Sequence, residues 1–297
     1  MPGPAPMRFD TISFLSDFGT VDEFVGVVHS VIRSLAPAVG VVDIAHQLPP
    51  HDVRAGGLTL ARSVQFLCPG VVLAVVDPGV ATDRRAVAVE VGDGQAYLVG
   101  PDNGLLAPAV ALVGGAQRAV ALTNPEYHLA GPGPTFAGRD IFAPVAAHLC
   151  MGVPLEALGE LVDPSSLRPG LMPLTRQEGD RLLAEVLWVD RFGNAQLNVD
   201  PVELAPYGDA ALVTAASLDG RGTVRRARRV VAYAELATGE LGLAVDSYGL
   251  IALVMDRASA ADELGLDAGA EVVLGPLDDG SAGVELPVEL TSRRDRR

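Results

Sequence analysis

Apolar positions follow two different rhythms along this chain. In the first half, short apolar runs alternate with stretches whose apolar residues recur at helical spacing. TISFLS (11–16), VGVVDIAH (39–46) and GVVLAVVD (70–77) predict strands, while DEFVGVVHSVIRSLAP (22–37) and DVRAGGLTLARSVQFL (52–67) predict amphipathic helices. Thr20 and Glu23 have the spacing of a capping box ahead of the first helix, and Pro37 closes it. AVAVEV (86–91) and AYLVG (96–100) flank a Gly-Asp-Gly turn and predict an antiparallel hairpin added to the same sheet. RDIFAPVAAHLCMG (139–152) predicts a helix interrupted early by Pro144. Strands alternating with helices of this length imply a mostly parallel sheet covered on both faces.

Past about residue 165 the texture changes. DPSSLRPGLMPLTRQEGD is rich in turn residues and has no period. Beyond it come short alternating runs, RLLAEVLWVD, AQLNV, AALVTA, VRRARRVVAYA, GLAVDS, LIALVMD and AEVVLGPL, separated by Gly or Asp turns. That pattern predicts a small β-barrel or sandwich. The expected fold class is α/β: a mostly parallel α/β sandwich domain over residues 1–165, a linker over 166–180, and a smaller all-β barrel domain over 181–297. No internal repeat interrupts this scheme.

Composition narrows the function classes. The 297 residues, 49% of them apolar, can fill two cores. A net charge of −15 leaves no basic face to follow a phosphate backbone, so nucleic acid is excluded as a partner. Cys68 and Cys150 lack the spacing of a structural zinc site and read as buried thiols. MPGPAPMRFD at the start lacks the features of a signal peptide, and no apolar run approaches the roughly 20 residues that span a bilayer; a cytoplasmic location without membrane contact is expected. The basic tail TSRRDRR is expected to be solvated.

Four polar islands interrupt the apolar runs of the first half at comparable places: FLSDFGTVDEF, DPGVATDRR, VGPDNGLLAP and PTFAGRDIFAP. Asp77 ends a strand and is followed at short range by Arg84 and Arg85, a carboxylate and guanidinium where α/β proteins carry chemistry, although turn formation alone explains Asp-Pro-Gly. Asp17 follows the first strand, where a carboxylate can accept both hydrogen bonds of a ribose diol or simply cap a helix. Asp17, Asp22 and Glu23 offer an alternative cation site, but first-turn acids complement a helix dipole, so no metal is expected. Asp102 and Asn103 before Gly104 are turn chemistry or an amide site.

In the second half, WVDRFGNAQLN combines an acceptor for an ammonium group (Asp190), an aromatic face (Phe192) and an amide for a heterocycle edge (Asn194). This set suits a ligand containing adenine and an amino acid, and it equally suits a plain hairpin turn. Ser247 in AVDSYG is a hydroxyl for a carboxylate, or a turn residue. His29 and His148 fall inside helical patterns and read as packing or dipole partners, whereas His46, His51 and His128 stand near loops and are more open to function.

Taken in order, FLSDFGTVDEFVG, DPGVATDRR, GPDNGLL, TFAGRDIFAP, DRFGNAQLN and the region from AVDSYG to DRASA resemble the S-adenosylmethionine hydroxide adenosyltransferases, the SAM hydrolases, relatives of the SAM-dependent fluorinase and chlorinase. The resemblance runs through both halves. It implies an amino-terminal α/β domain, a carboxy-terminal β-barrel and a homotrimer with active sites between the first domain of one subunit and the second domain of its neighbour. It implies S-adenosylmethionine as substrate, adenosine and methionine as products, and no cofactor.

By position, the resemblance assigns the ribose hydroxyls to Asp17 and adenine to Asn194, Phe192 and the backbone near Arg257 and Ala258. The methionine ammonium and carboxylate fall to Asp190 and Ser247, with Asn103 and Tyr248 among the substrate-binding residues. Asp77 and Arg84 match two members of an Asp-Arg-His set that handles the attacking water. Where relatives have TFHGRDIFAP this chain has TFAGRDIFAP, so Ala137 stands at the histidine position. A natural member with altered water handling, an engineered variant, and a protein that binds but has lost turnover all fit that change. Asp256 and Ala258 also depart from the Asn and Gly more often found in relatives.

The implied reaction is attack of water or hydroxide on ribose C5′. The leaving group is a neutral thioether and needs no acid, so the difficulty lies with the nucleophile. Two alternatives remain at this stage: a halogenase, disfavoured because a carboxylate at Asp77 repels a halide and the halogenases have a Tyr-containing segment there, and a SAM- or adenosine-binding protein whose chemistry was lost with the histidine.

Overall fold

A computed structural model of the chain describes residues 7–215 and 223–277, which divide into two compact units, Met1–Met172 and Pro173–Arg297. The tail TSRRDRR lies outside the described residues. The division falls within the stretch expected as linker, and both ends of that stretch are structured. The backbone amide of Arg168 donates to Asp102 Oδ1 at 2.8 Å, and Arg176–Glu178 forms a strand.

The first unit runs β1 (Thr11–Ser16), α1 (Phe24–Leu35), β2 (Gly40–Ala45), α2 (Val53–Val64), β3 (Gly70–Val75), β4 (Ala86–Val91), β5 (Ala96–Pro101), α3 (Ala107–Leu112), β6 (Arg118–Ala121), α4 (Ala143–Cys150) and β7 (Glu160–Val162). Its sheet has the order β2-β1-β3-β5-β4-β6-β7. The first four of these are mutually parallel, and β4, β6 and β7 are added antiparallel, β4 and β5 forming the expected hairpin.

Every residue of β3 is buried, because both faces are covered. Val71, Leu73 and Val75 join the core under α1 and α4, while Val72, Ala74 and Val76 join the core under α2 and α3. Asp77 has the parity of Leu73 and Val75 and so continues the α1/α4 side.

Local detail departs from expectation in three places. No side chain caps α1, whose first residue follows Glu23 directly; Thr20 instead accepts a hydrogen bond from Gln47 Nε2 at 3.2 Å. Pro144 sits in the first turn of α4, where its missing N–H costs nothing, and the irregularity lies just before it as a turn of π-helix over Gly138–Phe142. Cys150 is buried as expected and its thiol is pushed up to about 12 by burial and by Asp10, but Cys68 is exposed on the loop before β3.

The second unit contains β8 (Arg176–Glu178), β9 (Arg181–Val189), β10 (Ala195–Leu197), β11 (Ala210–Ala215), β12 (Thr223–Val230), β13 (Leu241–Val245), β14 (Ile251–Val254), α5 (Ala260–Leu264) and β15 (Glu271–Gly275). Seven strands in the order β10-β14-β13-β12-β11-β15-β9 close into a barrel through the pairing of β9 with β10, and β8 adds to β9. Alternate residues fill it, including Leu182, Ala184 and Val186 of β9 and Ala211, Val213 and Ala215 of β11, with Leu264 of α5 also in this core.

Burial in the first unit also sets an acid response. His128 and the α4 residue His148, whose ring packs edge-on against Tyr127 at 5.0 Å, are both held below the usual histidine range by desolvation. The folded chain therefore binds fewer protons at these sites than the unfolded chain, whose histidines titrate near about 6.5, so stability falls as pH drops below that value. Replacing both (His128→Gln with His148→Gln) is expected to flatten the decline of melting temperature between roughly pH 7 and pH 5; an unchanged decline would assign it to other groups.

Candidate active site

The order of the first sheet opens a crevice. From β1 the chain passes to β2 on one side and then crosses to β3 on the other, so the connections leave the neighbouring ends of β1 and β3 in opposite directions. Ser16 is in register with Val75, which brings Asp17 and Asp77 to the same end of adjacent strands.

Asp77 is held by Arg84 in a fork. Arg84 Nε donates to Oδ1 at 2.8 Å and the terminal Nη2 donates to Oδ2, with only 6% of the Asp77 side chain and 12% of the Arg84 side chain exposed. The guanidinium carbon also stands 5.2 Å from the centre of the buried Phe142 ring. The loop between them is tied by its own bonds: Val80 N–H donates to the Asp77 carbonyl at 3.2 Å, and the Thr82 hydroxyl donates to the Gly79 carbonyl at 2.7 Å.

Asp17 is fixed from the β2–α2 loop. Its Oδ2 accepts the backbone N–H of His51 at 2.8 Å, His51 being at a φ of 68°. Gly19 N–H donates to the His46 carbonyl at 2.7 Å, a second tie between the same loops.

The third wall comes from the segment before α4. Ala137 is buried at the start of the π turn, and a Cβ on the following Gly138 would come within 2.9 Å of the Phe18 ring, so this approach needs glycine. Phe18, Phe24 and Phe136 form a cluster with ring centres 5.1 to 5.8 Å apart. Asp17, Asp77, Ala137 and these three rings line a single cavity of about 230 Å³, into which Arg84 reaches only through Asp77. His128 does not line it.

Asn103, expected among the ligand-binding residues, does not line this cavity either. Its Nδ2 donates to the Val76 carbonyl at 2.8 Å and its Oδ1 accepts Leu105 N–H at 3.1 Å, so it braces the end of β3 from the neighbouring β5. Asp102 is likewise occupied, by Arg85 and by the Arg168 amide.

The second unit gathers the other expected residues at the β9–β10 hairpin. Asp190 Oδ1 accepts the backbone N–H groups of Phe192 and Asn194 at 2.8 and 2.9 Å, and its Oδ2 accepts Asn194 Nδ2 at 2.8 Å. Gly193, at a φ of 82°, leaves no room for a Cβ, which would meet Ser259 Oγ at 2.1 Å. The hairpin turn is thus built, and its polar groups also face two cavities.

A cavity of about 410 Å³ is lined by Asp190, Asn194, Ser247 and Tyr248, and one of about 650 Å³ by Asp190, Phe192, Asn194, Arg257 and Ala258. Phe192 and Arg257 are largely exposed. Among the lining residues not anticipated are Tyr233, which borders both cavities, and the pair Gln196 and Asp246, joined by a hydrogen bond. The available signal was the alternation itself: Gln196 lies between the barrel-core residues Ala195 and Leu197 and so on the outer face of β10, next to the turn.

A model of the N-terminal domain of SAM hydroxide adenosyltransferases matches residues 12–159, and the model of their C-terminal domain matches residues 184–273. The chain belongs to the SAM hydroxide adenosyltransferase family. A curated relative from Salinispora tropica, the (R)-S-adenosyl-L-methionine hydrolase, is 46% identical over 87% of this chain and 95% of its own length. A fluorinase from Nocardia brasiliensis is 29% identical over 89% of this chain and 96% of its own. A solved structure described as an uncharacterized conserved protein from Thermotoga maritima shares the fold with a TM-score of 0.81 and 34% identity, covering 89% of this chain and 99% of that one.

In this adenosyltransferase-family chain the Asp77–Arg84 pair is the most deeply enclosed charge of the cavity. Arg84→Met strips a buried carboxylate of its partner and is expected to cost about 3–5 kcal/mol in urea unfolding, with much of that recovered by adding Asp77→Asn. Additive single effects would show that the pair is not coupled.

Proposed function

We propose that this chain hydrolyses S-adenosylmethionine to adenosine and methionine. The observation that carries the reading is a cavity at the switch point of the sheet that holds two carboxylates, one locked by an arginine, against an aromatic wall. The 46% identity to a named S-adenosylmethionine hydrolase over most of both chains supports it.

In the proposed reaction a water oxygen bonds to C5′ as the C5′–S bond breaks, its electron pair stays on sulfur, and the water loses a proton. Asp17 binds the ribose diol through the lone pairs left over from the His51 bond. Each oxygen of Asp77 already accepts one guanidinium hydrogen and keeps capacity for a water, so Asp77 orients the nucleophile while Arg84 fixes Asp77. The cation and a hydroxide-like nucleophile lose charge together in the transition state, which an apolar, water-poor cavity favours. Phe18, Phe24 and Phe136 assist binding of the sulfonium more than its reaction, since the attraction fades as the charge does.

In the second unit, Asp190 and Ser247 take the methionine ammonium and carboxylate. Adenine lies against Phe192 and Asn194, with backbone at Arg257 and Ala258. Tyr248 borders the methionine end, and Asn103 acts on the site by bracing β3. The two units contribute from neighbouring subunits of a homotrimer, and no cofactor takes part. The protein acts in the cytoplasm. Because Arg84 neutralises Asp77, charge alone does not bar a halide from this cavity; its dependence is therefore part of the test.

Incubation with S-adenosylmethionine, with and without chloride, is expected to give equimolar adenosine and methionine irrespective of halide, and Asp77→Ala to lose at least about 10²-fold in kcat. A 5′-halo product would make the chain a halogenase, and binding without products a SAM-binding protein. Asp17→Ala is expected to weaken substrate binding by about 10- to 100-fold. Ala137→His is expected to raise turnover, by up to about 10²- to 10⁴-fold if the imidazole acts as general base; no gain would leave water activation to Asp77 and Arg84. Co-expressed Asp77→Ala and Asp190→Ala chains should regain activity absent from either alone if sites are shared between subunits.

A further inference from the structure

Away from the cavity, two imidazoles converge on one carboxylate oxygen. His29, in the middle of α1, and His46, just beyond β2, each place Nε2 at 2.9 Å from Oδ1 of Asp43 on β2. Among the described residues this is the one group of three metal-type donors brought together, all within 4.8 Å of one another; Asp17, Asp22 and Glu23 do not form such a group.

Its surroundings are those of a ligand set. The buried His46 ring packs on Phe14 with centres 4.6 Å apart, and its Nδ1 lies 2.7 Å from Ser16 Oγ. A second partner of this kind fixes the rotation of a metal-bound histidine. A hydroxyl can accept from Nδ1–H or donate to Nδ1, so Ser16 suits the tautomer in which Nε2 carries the lone pair as well as the one in which it carries the proton.

Separations of 2.9 Å are near the roughly 3.3 Å edge of a tetrahedron with bonds of about 2.0 Å, and all three donor atoms lie within 4.8 Å of one another. The side chains of His29 and Asp43 are 35% and 45% exposed, which leaves a coordination position for water and a path for entry. Two imidazoles with one carboxylate select a borderline transition-metal ion over magnesium or calcium.

We propose that His29, Asp43 and His46 form a binding site for a divalent transition-metal ion of the zinc class, bracing the turn that follows β1. The site is structural: none of its residues lines the Asp17–Asp77 cavity, but His46 grips that turn through Ser16 Oγ and through its own carbonyl on Gly19. It stands whether or not the proposed hydrolysis does.

The test uses the full chain stripped with chelator. Zinc chloride titrated calorimetrically should bind at one ion per chain with micromolar or tighter affinity and raise the melting temperature, and cobalt(II) should give the visible bands of a nitrogen- and oxygen-ligated tetrahedral ion. His29→Ala, at a half-exposed position, and Asp43→Asn should each weaken zinc binding at least tenfold and abolish the thermal shift, whereas Cys68→Ala and His51→Ala should not. Circular dichroism of each variant without metal separates lost binding from lost fold. No zinc-dependent shift in the parent, or binding unchanged in both His29→Ala and Asp43→Asn, would leave a hydrogen-bonded cluster only and overturn the proposal.

Discussion

Asp77 carries a charge at the buried end of an all-apolar strand, and the surrounding structure is arranged around keeping Arg84 against it. Taking a carboxylate out of water is costly unless it is paired and hydrogen-bonded. The loop from Asp77 to Arg84 meets that requirement with internal bonds that set its length, and Phe142 supplies a face for the guanidinium. Asn103 reaches across from β5 to hold the Val76 carbonyl, which fixes the height at which Asp77 leaves the sheet. A pair so constrained offers its remaining lone pairs in one direction, and that is the property a site for in-line attack requires.

The two units solve the same problem of placing polar groups at the edge of an apolar core by different means. In the sheet, divergent connections from β1 and β3 leave a cleft without any insertion. In the barrel, a tight turn between β9 and β10 carries the groups, and Asp190 first organises that turn before it can meet a ligand. Both of its oxygens already accept protein hydrogens, so an ammonium would add to a fixed acceptor, with little ordering left to do on binding.

Much of this was legible in the chain. Runs such as GVVLAVVD are continuous because both faces of a parallel strand are covered, and the barrel strands alternate because only one face is. Asp17 and Asp77 were read from their positions at strand ends and Ala137 from the resemblance alone, and the three share one cavity. What could not be read depends on neighbours distant in sequence. Asn103 resembles turn chemistry until β5 is known to lie beside β3. The meeting of His29 with Asp43 requires α1 to pack over β2, and no local pattern spans those positions. The Thr20–Glu23 box had the right spacing, but Thr20 found its partner in the β2–α2 loop instead.

The alanine at 137 sharpens what the remaining residues must do. Its methyl group sits in the wall of the cavity where the resemblance expects an imidazole; the histidine that does border the cavity is His51, whose backbone N–H binds Asp17. In the proposed reaction a proton leaving the attacking water has Asp77, His51 or bulk solvent as its destination. Early proton transfer is not obligatory, because sulfur leaves as a neutral thioether; with a neutral water the positive charge is dispersed, not lost, as the transition state forms. Under those conditions, alignment of the water behind C5′ contributes more than its deprotonation. In the proposed reaction the forked Asp77–Arg84 pair would serve that alignment: it is enclosed and neutral as a unit, and Asp77 lines the cavity.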